Sequence, residues 1–190
     1  MEALHDTVKA GKVRYLGAST MHTHQFVQMQ YVAEMNGWTK FVSMQNLYNL
    51  AWREEERHMN EFCIQTGVGL TPWSPLAGGF LARDWRVTKK GDSARTTSGA
   101  SYSNSAYEKP QDYKVVDALI AVAARHKLPM AQIAMAWLLE RPGVTAPILG
   151  ATKLGQLEDA LASLEVTLTD QDRAELDQAY TWNRLLGIYR

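Results

Sequence analysis

Gly67-Val68-Gly69-Leu70-Thr71-Pro72-Trp73-Ser74-Pro75-Leu76-Ala77 is the stretch on which the fold turns. Val68 to Thr71 is a short apolar run closed by prolines, the pattern of a buried strand that ends in a loop. Two similar runs lie upstream, Val13-Arg14-Tyr15-Leu16 and Phe41-Val42-Ser43-Met44, so the three begin 28 and 27 residues apart. That interval suits a strand, a helix and two turns. A fourth run, Ala146-Pro147-Ile148-Leu149, follows much later.

The intervening pieces read as helices. Phe26, Met29 and Ala33 repeat on one face until Asn36-Gly37 stops them, and Arg53 to Gln65 is expected as a second helix with Glu54, Glu55 and Glu56 in its first turn. Val116, Leu119, Ile120 and Ala123 mark another. Met130 to Leu138 marks the next, ending before Pro142-Gly143, and Leu154 to Leu164 one more. Thr169 with Asp172 has the spacing of a capping box for a last helix. Buried strands alternating with helices imply a parallel sheet covered on both faces, either doubly wound or part of a (β/α)8 barrel. In both, ligands bind at the carboxyl ends of the strands.

Composition narrows the partners. The 190 residues carry 20 Lys+Arg and 20 Asp+Glu, so no net field draws nucleic acid or an acidic membrane. One cysteine, Cys63, excludes an internal disulfide and a multi-cysteine metal site and points to a reducing compartment. No apolar run approaches 18 residues and Met1-Glu2-Ala3-Leu4-His5-Asp6 is no signal peptide, so the cytoplasm is the expected location. Residues 83–110 are rich in Ser, Thr, Gly, Lys and Asn, the composition of a long flexible loop; its Arg83, Arg86, Lys89, Lys90 and Arg95 suit a basic lid or plain solubility.

The strand ends hold the candidate site: Ser19-Thr20, Gln45-Asn46, Trp73-Ser74-Pro75-Leu76, and Gly150-Ala151-Thr152-Lys153. Hydroxyls, amides and one indole suit a planar ring bearing an amide. Thr152-Lys153 opening a helix outlines an anion site, with Gln156 and Asp159 roughly on the Lys153 face. Each has a plainer reading: Ser19 and Thr20 as helix caps, Gln45 as a turn tie, Trp73 as core, Lys153 as a solvated face. Gly67-Val68-Gly69 does not open a helix, so it is not a Rossmann fingerprint. His22 and His24, two apart, are expected to face different ways on a helix, and none of the five histidines has a metal-ligand partner in sequence.

Longer segments resemble the aldo-keto reductase family. Lys9 to Ser19 is similar to its segment entering the fifth barrel strand, and Ser43 to Leu50 with Arg53 to Glu56 to the sixth strand and its helix. Gly67 to Ala77 resembles the seventh. Ala134 to Leu139 and Pro147 to Lys153, with Gln156 to Asp159, resemble the eighth strand and the cofactor helix. The likeness runs in order over nearly the whole chain, and its character is that of the long-loop subgroup.

What the resemblance implies is one domain over residues 1–190: an α/β chain forming a partial (β/α)8 TIM barrel, strands 5–8 with their helices and a long loop at 83–110 after strand 7. It implies an NADP(H)-dependent oxidoreductase interconverting aldehydes or ketones and alcohols. Ser19, Thr20 and Gln45 would hold the nicotinamide carboxamide, and Trp73 would stack on the ring. Ser74, Pro75, Leu76 and Ala77 would run along the pyrophosphate. Gly150 and Thr152 open the helix at whose start Lys153, Gln156 and Asp159 match the adenosine end. Thr20 stands where many members have asparagine, and Ala160 where a second asparagine is frequent. The family's Asp, Tyr, Lys and His belong to the first four strands, so no catalytic residue transfers; Tyr15, Tyr48 and Tyr102 qualify by residue type alone. A barrel takes about 250 residues, so this chain is expected to be catalytically incomplete alone. Two other expectations stand beside it: a non-catalytic nicotinamide-binding or regulatory protein, and an inactive truncated product that self-associates through half-barrel edges.

Overall fold

The computed structural model describes residues 1–84, 86–87, 107 and 109–182. Most of the expected loop, with Lys89, Lys90, Arg95 and Tyr102, lies outside the described residues. The chain divides into two compact units.

The first comprises Met1–Leu47, Glu55–Trp73 and Arg141–Ile148. Its elements are α1 (Glu2–Lys9), β1 (Leu16–Ser19), α2 (Thr23–Met35), β2 (Phe41–Gln45), α3 (Met59–Thr66) and β3 (Gly69–Leu70). The strands form a parallel sheet in the order β1-β2-β3, as the βα rhythm predicts. The register pairs Gly17 with Ser43 and Ser19 with Gln45, then Ser43 with Gly69. β1 lies later than expected. Val13 and Tyr15 are exposed, whereas Leu16 and Ala18 are buried and alternate with exposed Gly17 and Ser19. Small residues facing outward give an apolar scan little to detect.

The fourth run is held by isolated parallel bridges, Val144 to Leu70 and Ile148 to Trp73. Thr145 N donates to Leu70 O (2.8 Å) and Ile148 N to Pro72 O (2.7 Å). Pro72 and Pro147 have no N–H to offer, so a continuous ladder cannot form there. Leu16, Ala18, Phe26, Phe41, Met44, Met59, Cys63, Val68 and Leu70 make the core between sheet and helices. Gln30 braces it from α2: its Nε2 donates to Phe41 O and its Oε1 accepts from Phe41 N, both at 2.9 Å. A side-chain amide thus takes the hydrogen-bonding place of a neighbouring strand. Cys63 is fully buried, and burial, then the Glu55 charge, push its thiol up to about 11, so it acts as a small hydrophobe.

The second unit comprises the described residues of Tyr48–Glu54, Ser74–Glu140 and Leu149–Arg190. It contains α4 (Pro110–His126), α5 (Met130–Leu139), α6 (Leu154–Ala162) and α7 (Asp170–Ala179). Pro110 at the first turn of α4 forfeits an N–H that has no partner in a helix anyway. α4 packs against α5 and α7, burying Val115, Val116, Leu119, Ile133, Trp137, Leu138 and Leu176.

The single helix expected over Arg53 to Gln65 is instead a 3-10 turn, Glu54–Arg57, followed by α3. The backbone leaves helical geometry at His58 (φ −146°, ψ −55°), and Arg53, only 9% exposed, is not the start of a solvated face. Its guanidinium lies 5.0, 5.4 and 6.0 Å from the ring centroids of Trp137, Tyr180 and Trp182, and Nη1 donates to Asp177 Oδ1 at 2.8 Å. Asp177 Oδ1 also accepts from Trp137 Nε1 (2.9 Å).

Thr169 and Asp172 form the expected capping box: Asp172 N donates to Thr169 Oγ1 (3.2 Å) and Thr169 N to Asp172 Oδ2 (2.9 Å). The fully buried Asp172 carboxylate is also held by Arg125 and by His126 Nε2 (2.8 Å). Burial alone would raise its pKa, but the bonds from Thr169, His126 and Arg125 outweigh it and hold the carboxyl below the usual range. A depressed carboxyl pKa stabilises the fold above its unfolded value, near 4, and that stability is lost as pH falls through the folded value. Asp172→Asn should therefore cost roughly 2 kcal/mol at neutral pH. Urea midpoints measured from pH 7 down to pH 3 should fall less steeply below about pH 4 for the variant than for the parent.

Candidate functional site

In the first unit the parallel register sets Ser19 opposite Gln45. The Gln45 carbonyl accepts from Ser19 Oγ (3.1 Å), from Thr20 N (3.1 Å) and from Thr20 Oγ1 (3.4 Å). Trp73 Nε1 donates to Thr20 Oγ1 at 3.1 Å, and Trp73 N donates to Asn46 O at 2.9 Å. Ser19, Thr20, Gln45 and Trp73 are thus brought together from three strand ends, as expected. The capping alternative for Ser19 and Thr20 fails, because His22 occupies the N-cap of α2, its N–H donating to Gln25 Oε1 (3.2 Å). Trp73 is half-buried and anchored through its N–H, a wall and not core filler.

The chemistry left over suits an amide. The hydroxyl protons of Ser19 and Thr20 go to Gln45 O, so their oxygens retain lone pairs as acceptors. The exposed Gln45 side-chain amide makes no hydrogen bond to any described residue and offers donor and acceptor together. Next to this group, the sheet carries Gly17, Ser43 and Gly69 in register. A Cβ at Gly17 would lie 2.6 Å from Ser43 Oγ, and one at Gly69 would lie 2.6 Å from Thr145 Oγ1.

In the second unit, Ser74 to Gly79 forms a tight turn. Ala77 N donates to Ser74 O (2.9 Å) and Gly79 N to Leu76 O (2.8 Å). Pro75 and Ala77 are buried. Ser74 (φ 55°) and Ala77 (φ 51°) are both left-handed, a conformation costly for residues with a Cβ.

At the start of α6, Gln156 Oε1 accepts from Thr152 N (2.8 Å), Lys153 N (3.2 Å) and Thr152 Oγ1 (3.3 Å). Two N–H groups expected to be free for an anion are therefore capped by Gln156. The Leu154 and Gly155 N–H groups remain as orphan donors of the first turn. Lys153 has no ion pair among the described residues, while Asp159 accepts from Gln132 Nε2 (3.0 Å). Gly150, Thr152, Lys153, Gln156 and Asp159 are all exposed.

Outside these groups, His22 and His24 stack with ring centroids 5.5 Å apart rather than diverging, because His22 sits outside the helix as its cap. Tyr15 is exposed and Tyr48 buried. Among the described residues no three or more His, Cys, Asp or Glu side chains group to hold a metal ion. Sequence reasoning did not single out Asn49, which is fully buried and donates to Ser74 O. Its signal was a polar residue inside the run Leu47-Tyr48-Asn49-Leu50.

A sequence profile of the Aldo/keto reductase family matches residues 1–181. An aldo-keto reductase of Fusarium vanettenii is 46% identical over 187 residues, covering 98% of this chain and 50% of its own length. The versiconal hemiacetal acetate reductase of Aspergillus parasiticus is 41% identical over 180 residues, covering 95% and 52%. A thermostable aldo-keto reductase crystallised with the inhibitor epalrestat superposes with a TM-score of 0.67 at 26% identity, covering 94% of this chain and 53% of that one. The chain spans about half the length of the curated relatives it matches. This likeness resolves the two sheet architectures in favour of a partial (β/α)8 barrel.

The Gly17–Ser43 contact predicts a coupled pair. Gly17→Ala should cost about 1 kcal/mol with Ser43 present and almost nothing in a Ser43→Ala background. Urea unfolding of the four proteins measures the coupling.

Proposed function

Because the chain belongs to the aldo/keto reductase family, we propose that it binds NADP(H) and serves the reversible reduction of an aldehyde or ketone to an alcohol. The observation that carries this reading is the Ser19–Thr20–Gln45–Trp73 cluster, whose leftover hydrogen-bonding capacity fits a carboxamide and whose indole fits a flat ring. Gln45 would pair with the carboxamide of the nicotinamide, Ser19 and Thr20 accepting from its NH2. Trp73, held by Thr20, would keep one ring face covered and water off it. In the second unit, the Ser74–Ala77 turn would meet the pyrophosphate. Lys153, with the Leu154 and Gly155 N–H groups, would neutralise a ribose phosphate. NADP(H), when bound, supplies or accepts the hydride.

No catalytic residue is assigned. A carbonyl reduction needs a proton donor within hydrogen-bond reach of the forming alkoxide, and neither unit's group contains a tyrosine or histidine. The chain is proposed to supply cofactor grip, with acid–base chemistry coming from elsewhere. Neutral charge and one buried cysteine support a cytoplasmic location, and among the described residues no helix is long and apolar enough to cross a membrane.

Titration with NADPH, followed by tryptophan fluorescence, tests the cofactor. Saturable binding is expected, weakened at least about tenfold by Trp73→Ala without unfolding. Lys153→Ala should weaken NADPH more than NADH, since only the former carries the extra phosphate. Failure of the unmodified chain to bind NADPH would sink the reading. Binding with no reduction of any simple aldehyde is expected of this chain by itself, on this reading and on the non-catalytic alternative alike; reduction by the chain alone would overturn the absence of an acid–base group.

Self-association, expected from the sequence through half-barrel edges, is proposed here on a different surface. Leu154, Leu157, Leu161 and Leu164 recur along α6 and the following 3-10 turn and are all exposed, a stripe of the kind proteins cover. Sedimentation velocity should show concentration-dependent association, reduced by Leu157→Lys/Leu161→Lys; a monomer at all concentrations would refute it.

A further inference from the structure

We propose that Asn49 is a positioning residue for the dinucleotide: its side-chain amide holds the Ser74–Ala77 turn in its left-handed form and ties it to Tyr107. This rests on the reading that the turn meets the cofactor's pyrophosphate. Asn49 is 0% exposed, and every hydrogen-bonding group it owns is engaged. Its N–H donates to Trp52 O (3.1 Å) and its carbonyl accepts from Trp52 N (3.0 Å). Oδ1 accepts from Ala51 N (3.0 Å). The two protons of Nδ2 go to Ser74 O (3.0 Å) and Tyr107 Oη (3.1 Å).

The Ser74 carbonyl is the acceptor that closes the turn, since Ala77 N also donates to it. Left-handed φ at two non-glycine residues persists only where the surroundings over-determine it. Asn49 is the side chain that grips this carbonyl from outside the turn. Asn49 itself is immobilised by its own short hairpin to Trp52 and by Tyr107, which is buried and stacks on Phe80 (5.9 Å between centroids, 17°) and edge-on to Trp52 (6.4 Å, 85°). Removing the Nδ2 donor lets Ser74 relax toward negative φ, which turns the peptide that follows it and moves the groups offered to a phosphate. Of the two left-handed residues, Ser74 is the one whose carbonyl Asn49 holds, so glycine at that position should make Asn49 largely dispensable.

The test measures Kd for NADPH and for adenosine 2′-monophosphate, which lacks the pyrophosphate, in the 190-residue chain. Asn49→Ala should raise the NADPH Kd about tenfold and leave the adenosine 2′-monophosphate Kd unchanged. In a Ser74→Gly background the same substitution should raise the NADPH Kd by less than about threefold. Equal losses for both ligands, equal losses in both backgrounds, or no loss would overturn the proposal. Should Asn49→Ala fail to fold, Tyr107→Phe carries the test: an increase of about threefold for NADPH alone supports it, and no change overturns it. Absence of NADPH binding by the unmodified chain overturns both this proposal and the function it rests on, whereas an unaffected Asn49→Ala overturns this one alone.

Discussion

A guanidinium withdrawn from water is tolerated only where something replaces its hydration, and Arg53 shows how completely that condition shapes the second unit. Three aromatic faces and the Asp177 carboxylate surround it. Trp137 comes from α5, Asp177 from α7, and Tyr180 and Trp182 from the segment after α7, so one cation fixes two helices and the chain beyond them. Tyr180 completes the knot by accepting from Arg53 N (3.1 Å) and donating to Glu54 Oε1 (2.8 Å). The segment carrying Arg53 also carries Asn49, so the same anchoring sets the hairpin from which Asn49 reaches Ser74.

Hydrophobic spacing carried most of the fold. β2, β3, α2 and the helices near 116–126 and 130–139 are where periodicity put them, because they bury apolar side chains, and the helix at 154–162 follows the spacing of its leucines although none of its residues is buried. What periodicity could not show was backbone events driven by polar groups. Arg53 sits in a run of charges and looks solvated until its rings arrive from more than 80 residues away. β1 hides because its outward residues are Gly17 and Ser19. The fourth run looks like its predecessors, yet two prolines reduce it to bridges. α1 has no fully buried residue and meets the core through half-buried Val8 alone, with Met1 before it, too short a contact to stand out as a repeating stripe.

The two candidate groups were readable to different depths. For Ser19, Thr20, Gln45 and Trp73, residue type and strand position sufficed to bring the side chains together, since parallel register sets strand ends side by side. At α6, type misled in one respect: Gln156 spends its carbonyl oxygen on capping the helix rather than standing free, and Asp159 is engaged by Gln132. Whether a polar side chain is available depends on its neighbours' unmet hydrogen bonds, a property of the folded arrangement that spacing does not encode.

Cys63 deserves its place in the core for a reason beyond packing. It is the chain's one thiol, fully enclosed between α3 and the sheet. A buried, protonated thiol reacts with alkylating or disulfide reagents only when its surroundings open. Its labelling rate therefore clocks the opening of the strand-bearing unit and is blind to events confined to the other, a chemical stopwatch already built into the sequence.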